Sequence, residues 1–267
     1  MIRRFAVALC VVALTGCSMP PTVGRAEPTG PRVLFSDDFD GPAGTSPSPQ
    51  WHFETGGGGW GNNEMQTYTD DPDNASLDGS GHLAISARGS SLDQITSARI
   101  TTKGTFDFTS GRAEARIKLP AGAGLHPAFW LLGSNIDEVS WPEAGEIDVI
   151  ETLNLAPEFH TGVHAPSADS ERGEQVSASG PAPFPLAGEF HTYWVERTPG
   201  RIVTGIDELT LFTVTPADLE PGSRWVFDAP FFLLLNVAVG GDWPGPPDPS
   251  TPNPSTMLVD WVRVTAL

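Results

Sequence analysis

Hydrophobic and polar positions alternate with a period of two in several stretches of this chain. Across Arg112–Leu119, the residues Ala113, Ala115, Ile117 and Leu119 fall on one side and Arg112, Glu114, Arg116 and Lys118 on the other. That is the pattern of an antiparallel strand with one face on a core and one in water. Leu83–Ala87 and Tyr193–Arg197 read the same way, and Met257–Val264 predicts another strand near the chain end. Phe231–Val239 is instead almost wholly apolar, which predicts a central strand buried on both faces. Clusters of turn-forming residues separate these runs, and helical periodicity is scarce. With 267 residues, 29 Gly, 26 Pro and no repeat of solenoid or propeller period, the chain predicts one all-β domain. Two packed antiparallel sheets in a jelly-roll sandwich fit that pattern.

One run departs from simple alternation. Residues 145–151 read Gly-Glu-Ile-Asp-Val-Ile-Glu, with carboxylates set among β-branched residues that favour a strand. In a regular strand Glu146 and Asp148 share one face and Glu151 takes the other. One extra residue between Asp148 and Glu151, held in a β-bulge, returns Glu151 to the face of Glu146. Acids alternating along a strand ordinarily make a solvated outer face. Here Ile147, Val149 and Ile150 are too apolar for an exposed edge, and Trp130, Trp141 and His164 lie nearby in the chain. Crowded carboxylates drive their pKa values apart, leaving one group to act as an acid and another as a base or nucleophile. Two such groups about 5–5.5 Å apart suit glycoside hydrolysis with retention of configuration. Indole faces stack on pyranose rings while polar groups bind hydroxyls. Trp130 and Trp141 are therefore candidate sugar platforms, with Arg99 and His164 as candidate hydroxyl partners.

The acidic strand resembles the active-site strand of glycoside hydrolase family 16, in the longer, bulged form carried by its β-1,3-glucanases. Other stretches resemble the same family: Gly58-Gly-Trp60-Gly-Asn62-Asn63-Glu64, Ser97-Ala-Arg99-Ile-Thr-Thr-Lys-Gly and Pro127-Ala-Phe-Trp130-Leu-Leu-Gly. Leu233-Leu-Leu-Asn236-Val-Ala-Val-Gly-Gly and Met257-Leu-Val-Asp260-Trp-Val-Arg-Val extend the likeness, which runs from Val33 to Val264. The resemblance implies a concanavalin-like β-sandwich with an open concave substrate cleft, suited to attack within a polymer. It implies Glu146 as nucleophile, Glu151 as acid/base and Asp148 as the residue that hydrogen-bonds the nucleophile, with no cofactor for catalysis. The residues alone leave the direction of the Glu146–Glu151 pair open. The resemblance further implies sugar contacts on the non-reducing side from the loop carrying Trp60, Asn62 and Asn63. It also implies a structural calcium away from catalysis, at Asp38, the Gly81 backbone and Asp260. The expected function is a retaining endo-β-1,3-glucanase acting on laminarin-type glucan. A non-catalytic glycan-binding surface lipoprotein and a β-glucan transglycosylase are the alternatives, separated by reducing-sugar release and by acceptor assays.

A formal charge of −18 disfavours a nucleic-acid partner and favours a neutral polysaccharide. A monomer is expected. At the N-terminus, Arg3 and Arg4 precede an apolar stretch, Phe5–Leu14, that is too short to span a bilayer. Leu14-Thr15-Gly16-Cys17 then resembles a bacterial lipobox. Residues 1–16 are thus expected to be a lipoprotein signal peptide, and 17–31 a lipidated Cys17 with a flexible tether. Residues 32–267 are expected to form the catalytic domain. The protein is expected to be exported and held on the outer side of the membrane through Cys17 alone, the alternative being a secreted protein cut further on. Cys10 and Cys17 are the only cysteines, so the mature domain is expected to hold no internal disulfide. His160 and His164 share a strand face, but without a His-Glu-x-x-His motif zinc is not expected.

Overall fold

The computed structural model of the chain describes residues 30–89, 91 and 94–267; the expected signal segment, Cys17 and nearly all of the tether lie outside the described residues. Two β-sheets make the domain. The seven-stranded sheet runs from edge to edge as Ser170–Gly180, Phe159–Ser167, Glu146–Glu151, Leu125–Gly133, Phe231–Val239, Arg99–Thr101 and His52–Glu54. The ten-stranded sheet runs Leu209–Val214, Arg201–Ile206, His191–Thr198, Gly111–Lys118, Ser255–Thr265, Leu83–Gly89, Ile95–Ser97 and Thr67–Tyr68. Val33–Asp37 pairs with Ser255–Thr265, and Ala75–Leu77 with Leu83–Gly89. Thr67–Tyr68 runs parallel to Ile95–Ser97. Runs of consecutive strands are joined by pairs from distant parts of the chain, such as Leu125–Gly133 beside Phe231–Val239 and Gly111–Lys118 beside Ser255–Thr265, as in a jelly-roll sandwich. Among the described residues, helix is confined to Ile136–Val139 and the short turn Pro216–Asp218.

The core lies between the sheets. Ala113, Ala115 and Ile117 from one sheet join Phe129, Leu131, Ile147, Leu233, Leu235 and Val237 from the other in a single apolar cluster. Gly111–Lys118 alternates buried and half-buried residues as its pattern predicts. A slip of one residue there would drive Arg112, Glu114 and Arg116 into that core, so the register is strongly held. Phe231–Val239 is buried throughout. Leu233, Leu235 and Val237 join the main core. Phe232 and Leu234 instead meet Leu132 and Trp130 on the opposite face of the sheet. That second apolar layer lies on the acidic face, since Leu132 and Trp130 stand opposite Glu146 and Asp148.

Alternation also puts Arg197 in phase with Tyr193 and Val195, and the structure buries it with them. Its guanidinium donates to the carbonyls of Phe108, Phe227 and Ala229 at 2.6, 2.7 and 2.8 Å. It also lies against the rings of Phe108 and Phe231. Burial lowers its pKa to about 10, which still leaves a cation at neutral pH.

Candidate active site

The acidic strand carries the bulge that the family resemblance implies. Glu146, Ile147 and Asp148 pair with Leu132, Leu131 and Trp130, whereas Ile150 and Glu151 pair with Phe129 and Ala128. Val149 is the extra residue. Val149 and Ile150 are consecutive, yet both sink into the core cluster. Two successive inward side chains shift the alternation by one, and Glu151 returns to the face of Glu146 and Asp148. On the other flank Glu146 stands opposite His164, Asp148 opposite Gly162 and Glu151 opposite His160. His160 and His164 therefore share the acidic face.

The ligating atoms of Glu146, Asp148 and His164 all lie within 4.8 Å of one another. His164 Nε2 is 3.5 Å from Asp148 Oδ2 and 3.8 Å from Glu146 Oε1. Burial and the neighbouring Asp148 hold the Glu146 carboxyl well above the ordinary range, with His164 pulling it back. Burial and Glu151 raise Asp148 in the same sense, again opposed by His164. For His164 itself burial works against the charged form, but the bond and charge of Asp148, with Glu146 and Glu151, raise it to about 9. The cluster thus combines carboxyls that resist joint ionisation with an imidazolium that stabilises negative charge among them.

The other expected site residues surround this strand. Arg99, on a short strand two places along the same sheet from Leu125–Gly133, lies between two indoles. Its guanidinium is 4.9 Å from the Trp60 ring and 4.5 Å from the Trp130 ring. Its Nε also pairs with Glu54 Oε2 at 2.5 Å, so much of its charge is committed to that partner. The Trp130 indole N–H donates to Asn236 at 2.7 Å, and Asn236 donates to the Tyr68 hydroxyl at 3.1 Å. Trp141 is 41% exposed, enough to offer a face to a ligand, and its ring lies 5.7 Å from that of His164. Asn63 donates to both oxygens of Asp242 at 3.0 Å, and Asn62 to Glu64 at 3.4 Å. The Asn63–Asp242 bonds join the Gly-rich loop to the loop after Phe231–Val239. Gly241 permits that junction: its φ is +99°, and a Cβ there would stand 2.7 Å from the Asn62 carbonyl oxygen.

Folding adds two residues from elsewhere. His126 Nε2 lies 2.8 Å from Glu151 Oε1. Trp243, from the loop after Phe231–Val239, sets its ring at 5.3 Å from His126 and 4.7 Å from His160. A polar residue in the otherwise apolar Leu125–Gly133 run was the available signal for His126. Trp243 carried none, because only the folded loop brings it to the acids.

The expected calcium positions follow from two neighbouring pairings along Ser255–Thr265. Asp37 pairs with Val262 and Leu83 with Val259, which puts Asp38 and Gly81, just beyond those pairs, along the stretch of Ser255–Thr265 that carries Asp260. Carboxylates and a backbone carbonyl suit a hard cation. Asp38 is bonded to Arg263 at 2.9 Å and Asp260 to Arg116 at 2.5 Å, so an ion would share those carboxylates with guanidinium groups.

A family model described as glycosyl hydrolases family 16 matches residues 62–263. The chain is 37% identical to a beta-glucanase of Rhodothermus marinus, over 99% of this chain and 94% of that protein. It is 33% identical to a glucan endo-1,3-beta-glucosidase of Cryptopygus antarcticus, over 86% of this chain and 90% of that one. It superposes on the solved endo-beta-1,3-glucanase of Pyrococcus furiosus with a TM-score of 0.79 and 40% identity, covering 88% of this chain and 94% of the other. The chain belongs to glycoside hydrolase family 16.

Proposed function

We propose that this protein is a retaining endo-β-1,3-glucanase that cleaves laminarin-type glucan by double displacement. The observation that carries the reading is the bulge at Val149, which sets Glu146, Asp148 and Glu151 on one face within a scaffold shared with β-1,3-glucanases. Glu146 is the nucleophile and Glu151 the acid/base. In the first step Glu151 gives its proton to the glycosidic oxygen, the C1–O bond breaks, and a Glu146 oxygen bonds to C1. In the second step Glu151 takes a proton from water, the water oxygen bonds to C1, and the Glu146–C1 bond breaks. Two inversions retain the configuration. The reaction balances without a cofactor. The His164 imidazolium, set against Glu146, supports its ionised form when sugar displaces water from the cleft, against the opposing charge of Asp148. Trp60, Trp141 and Trp243 are aromatic surfaces for sugar stacking, while Asn62, Asn63 and Arg99 supply polar contacts at the rim.

The test is reducing-sugar release from laminarin and from other polysaccharides by the purified protein and its carboxamide variants. Glu146→Gln and Glu151→Gln should each lower laminarin hydrolysis by about three orders of magnitude with little loss of stability, and Asp148→Asn by less. Near-native activity in either Glu variant would refute the assignment. No activity of the parent protein on any β-1,3-glucan would remove the substrate.

A further inference from the structure

We infer that His126 is a positioning residue for the acid/base: its imidazole N–H donates to one oxygen of Glu151 and leaves the other oxygen aimed at the glycosidic bond. The inference rests on Glu151 serving as acid/base. His126 stands opposite Ala238 on Leu125–Gly133, two residues before Ala128, which pairs with Glu151. Alternation therefore puts His126 on the acidic face. Its Nε2 is 2.8 Å from Glu151 Oε1, with the two side chains 12% and 16% exposed. At that burial a hydrogen bond constrains both partners more strongly than one in water.

Several groups face this imidazole. Glu151 comes from the acidic strand and Trp243 from the loop after Phe231–Val239, where it also contacts His160. Glu64 and Asp148 act on it as further negative charges. Burial alone would lower the His126 pKa, but Glu151, Glu64 and Asp148 outweigh it and raise it. The protonated ring, with Nε2–H as donor, is thereby favoured.

In the first step Glu151 becomes a carboxylate as its proton passes to the departing oxygen, and the His126 N–H stabilises the charge forming there. In the second step the same bond keeps the free oxygen of Glu151 turned to the attacking water. Removing the bond should hurt most where protonation of the leaving group is most needed. A glycoside of a strongly acidic phenol leaves without a proton, so its bond cleavage should tolerate the change.

The experiment compares His126→Leu, His126→Gln and Glu151→Gln with the parent protein. Rates are measured across pH on laminarin and, by burst kinetics, on a 2,4-dinitrophenyl β-laminaribioside. Gln can place an uncharged N–H close to where Nε2 stood. His126→Leu should lose about 10- to 100-fold in kcat/KM on laminarin, as expected for a hydrogen bond to a charged group. It should keep its burst rate within about threefold and move the alkaline limb of the laminarin profile. His126→Gln should recover part of the laminarin rate while its limb stays displaced. Native laminarin rates and pH profiles in both variants would overturn the inference, as would equal losses on the two substrates. If His126→Leu does not fold, the pH profile of His126→Gln decides alone. Unchanged His126 variants beside an inactive Glu151→Gln would overturn this inference only. A Glu151→Gln that still hydrolyses laminarin would remove the reading beneath it.

Discussion

Replacing His164 by Gln should destabilise the fold by an amount that depends on pH. His164 stands 3.5 Å from Asp148 and 3.8 Å from Glu146, and its pKa rises from 6.5 to about 9. A group whose folded pKa lies above its unfolded value contributes stability that is complete below the unfolded value. That stability fades as pH climbs through the folded one. The window therefore opens below about pH 6.5 and closes through about pH 9. The interval between those values corresponds to about 3 kcal/mol as an upper bound. In the variant Glu146 and Asp148 can take up a proton in place of the lost cation, which brings the expected difference nearer to about 2 kcal/mol. For a domain of this size that is a fall of about 4–8 °C in melting temperature. The assay is urea unfolding of the parent and His164→Gln, followed by tryptophan fluorescence at pH 6 and pH 10. The stability gap should be about 2 kcal/mol at pH 6 and close to zero at pH 10. A gap of the same size at both pH values would mean that His164 contributes packing and no charge, and the electrostatic account would fail.

Two further predictions concern the ends of the chain. Calcium at Asp38, the Gly81 backbone and Asp260 would tie the first strand to the last, so it should stabilise the native state by about 2.7 kcal/mol at a hundredfold excess over its dissociation constant. Chelator-stripped protein should then melt lower than calcium-loaded protein with little change in turnover at moderate temperature. Absence of both a shift and bound metal would eliminate the ion. Cys17 should carry lipid and hold the protein to membranes, and Cys17→Ala should release it or leave the signal uncleaved. A soluble parent protein with its N-terminus beyond Cys17 would contradict the anchor.

The strands were legible wherever one face carried all the apolar residues, as in Gly111–Lys118, or where both faces did, as in Phe231–Val239. The bulged form entered through the family resemblance, and it has a chemical reason. Glu151 buried in a core without a partner is too costly, so a strand bearing Glu146, Asp148 and Glu151 among inward aliphatics has to break its alternation. Arg197 followed the alternation into the core, where its charge is met by the carbonyls of Phe108, Phe227 and Ala229, which no local pattern announces. The surroundings of the acids were harder to read for the same reason. His126 precedes Glu151 by 25 residues and Asn63 is bonded to Asp242 across 179. Such contacts are set by which strands become neighbours, and periodicity within a strand carries no information about that. Arg99 illustrates the limit: its residue type suggests a sugar ligand, while its place between Trp60 and Trp130 and its pairing with Glu54 are products of the sheet order.

The central claim is that a bulged strand presents Glu146 and Glu151 to one sugar as nucleophile and acid/base. Proton NMR of the anomeric region during the first minutes of laminarin hydrolysis tests it most directly, before mutarotation mixes the products. The account predicts that the β-anomer of the new reducing end appears first and the α-anomer grows in afterwards. An initial α-anomer would mean direct attack by water and would contradict the mechanism.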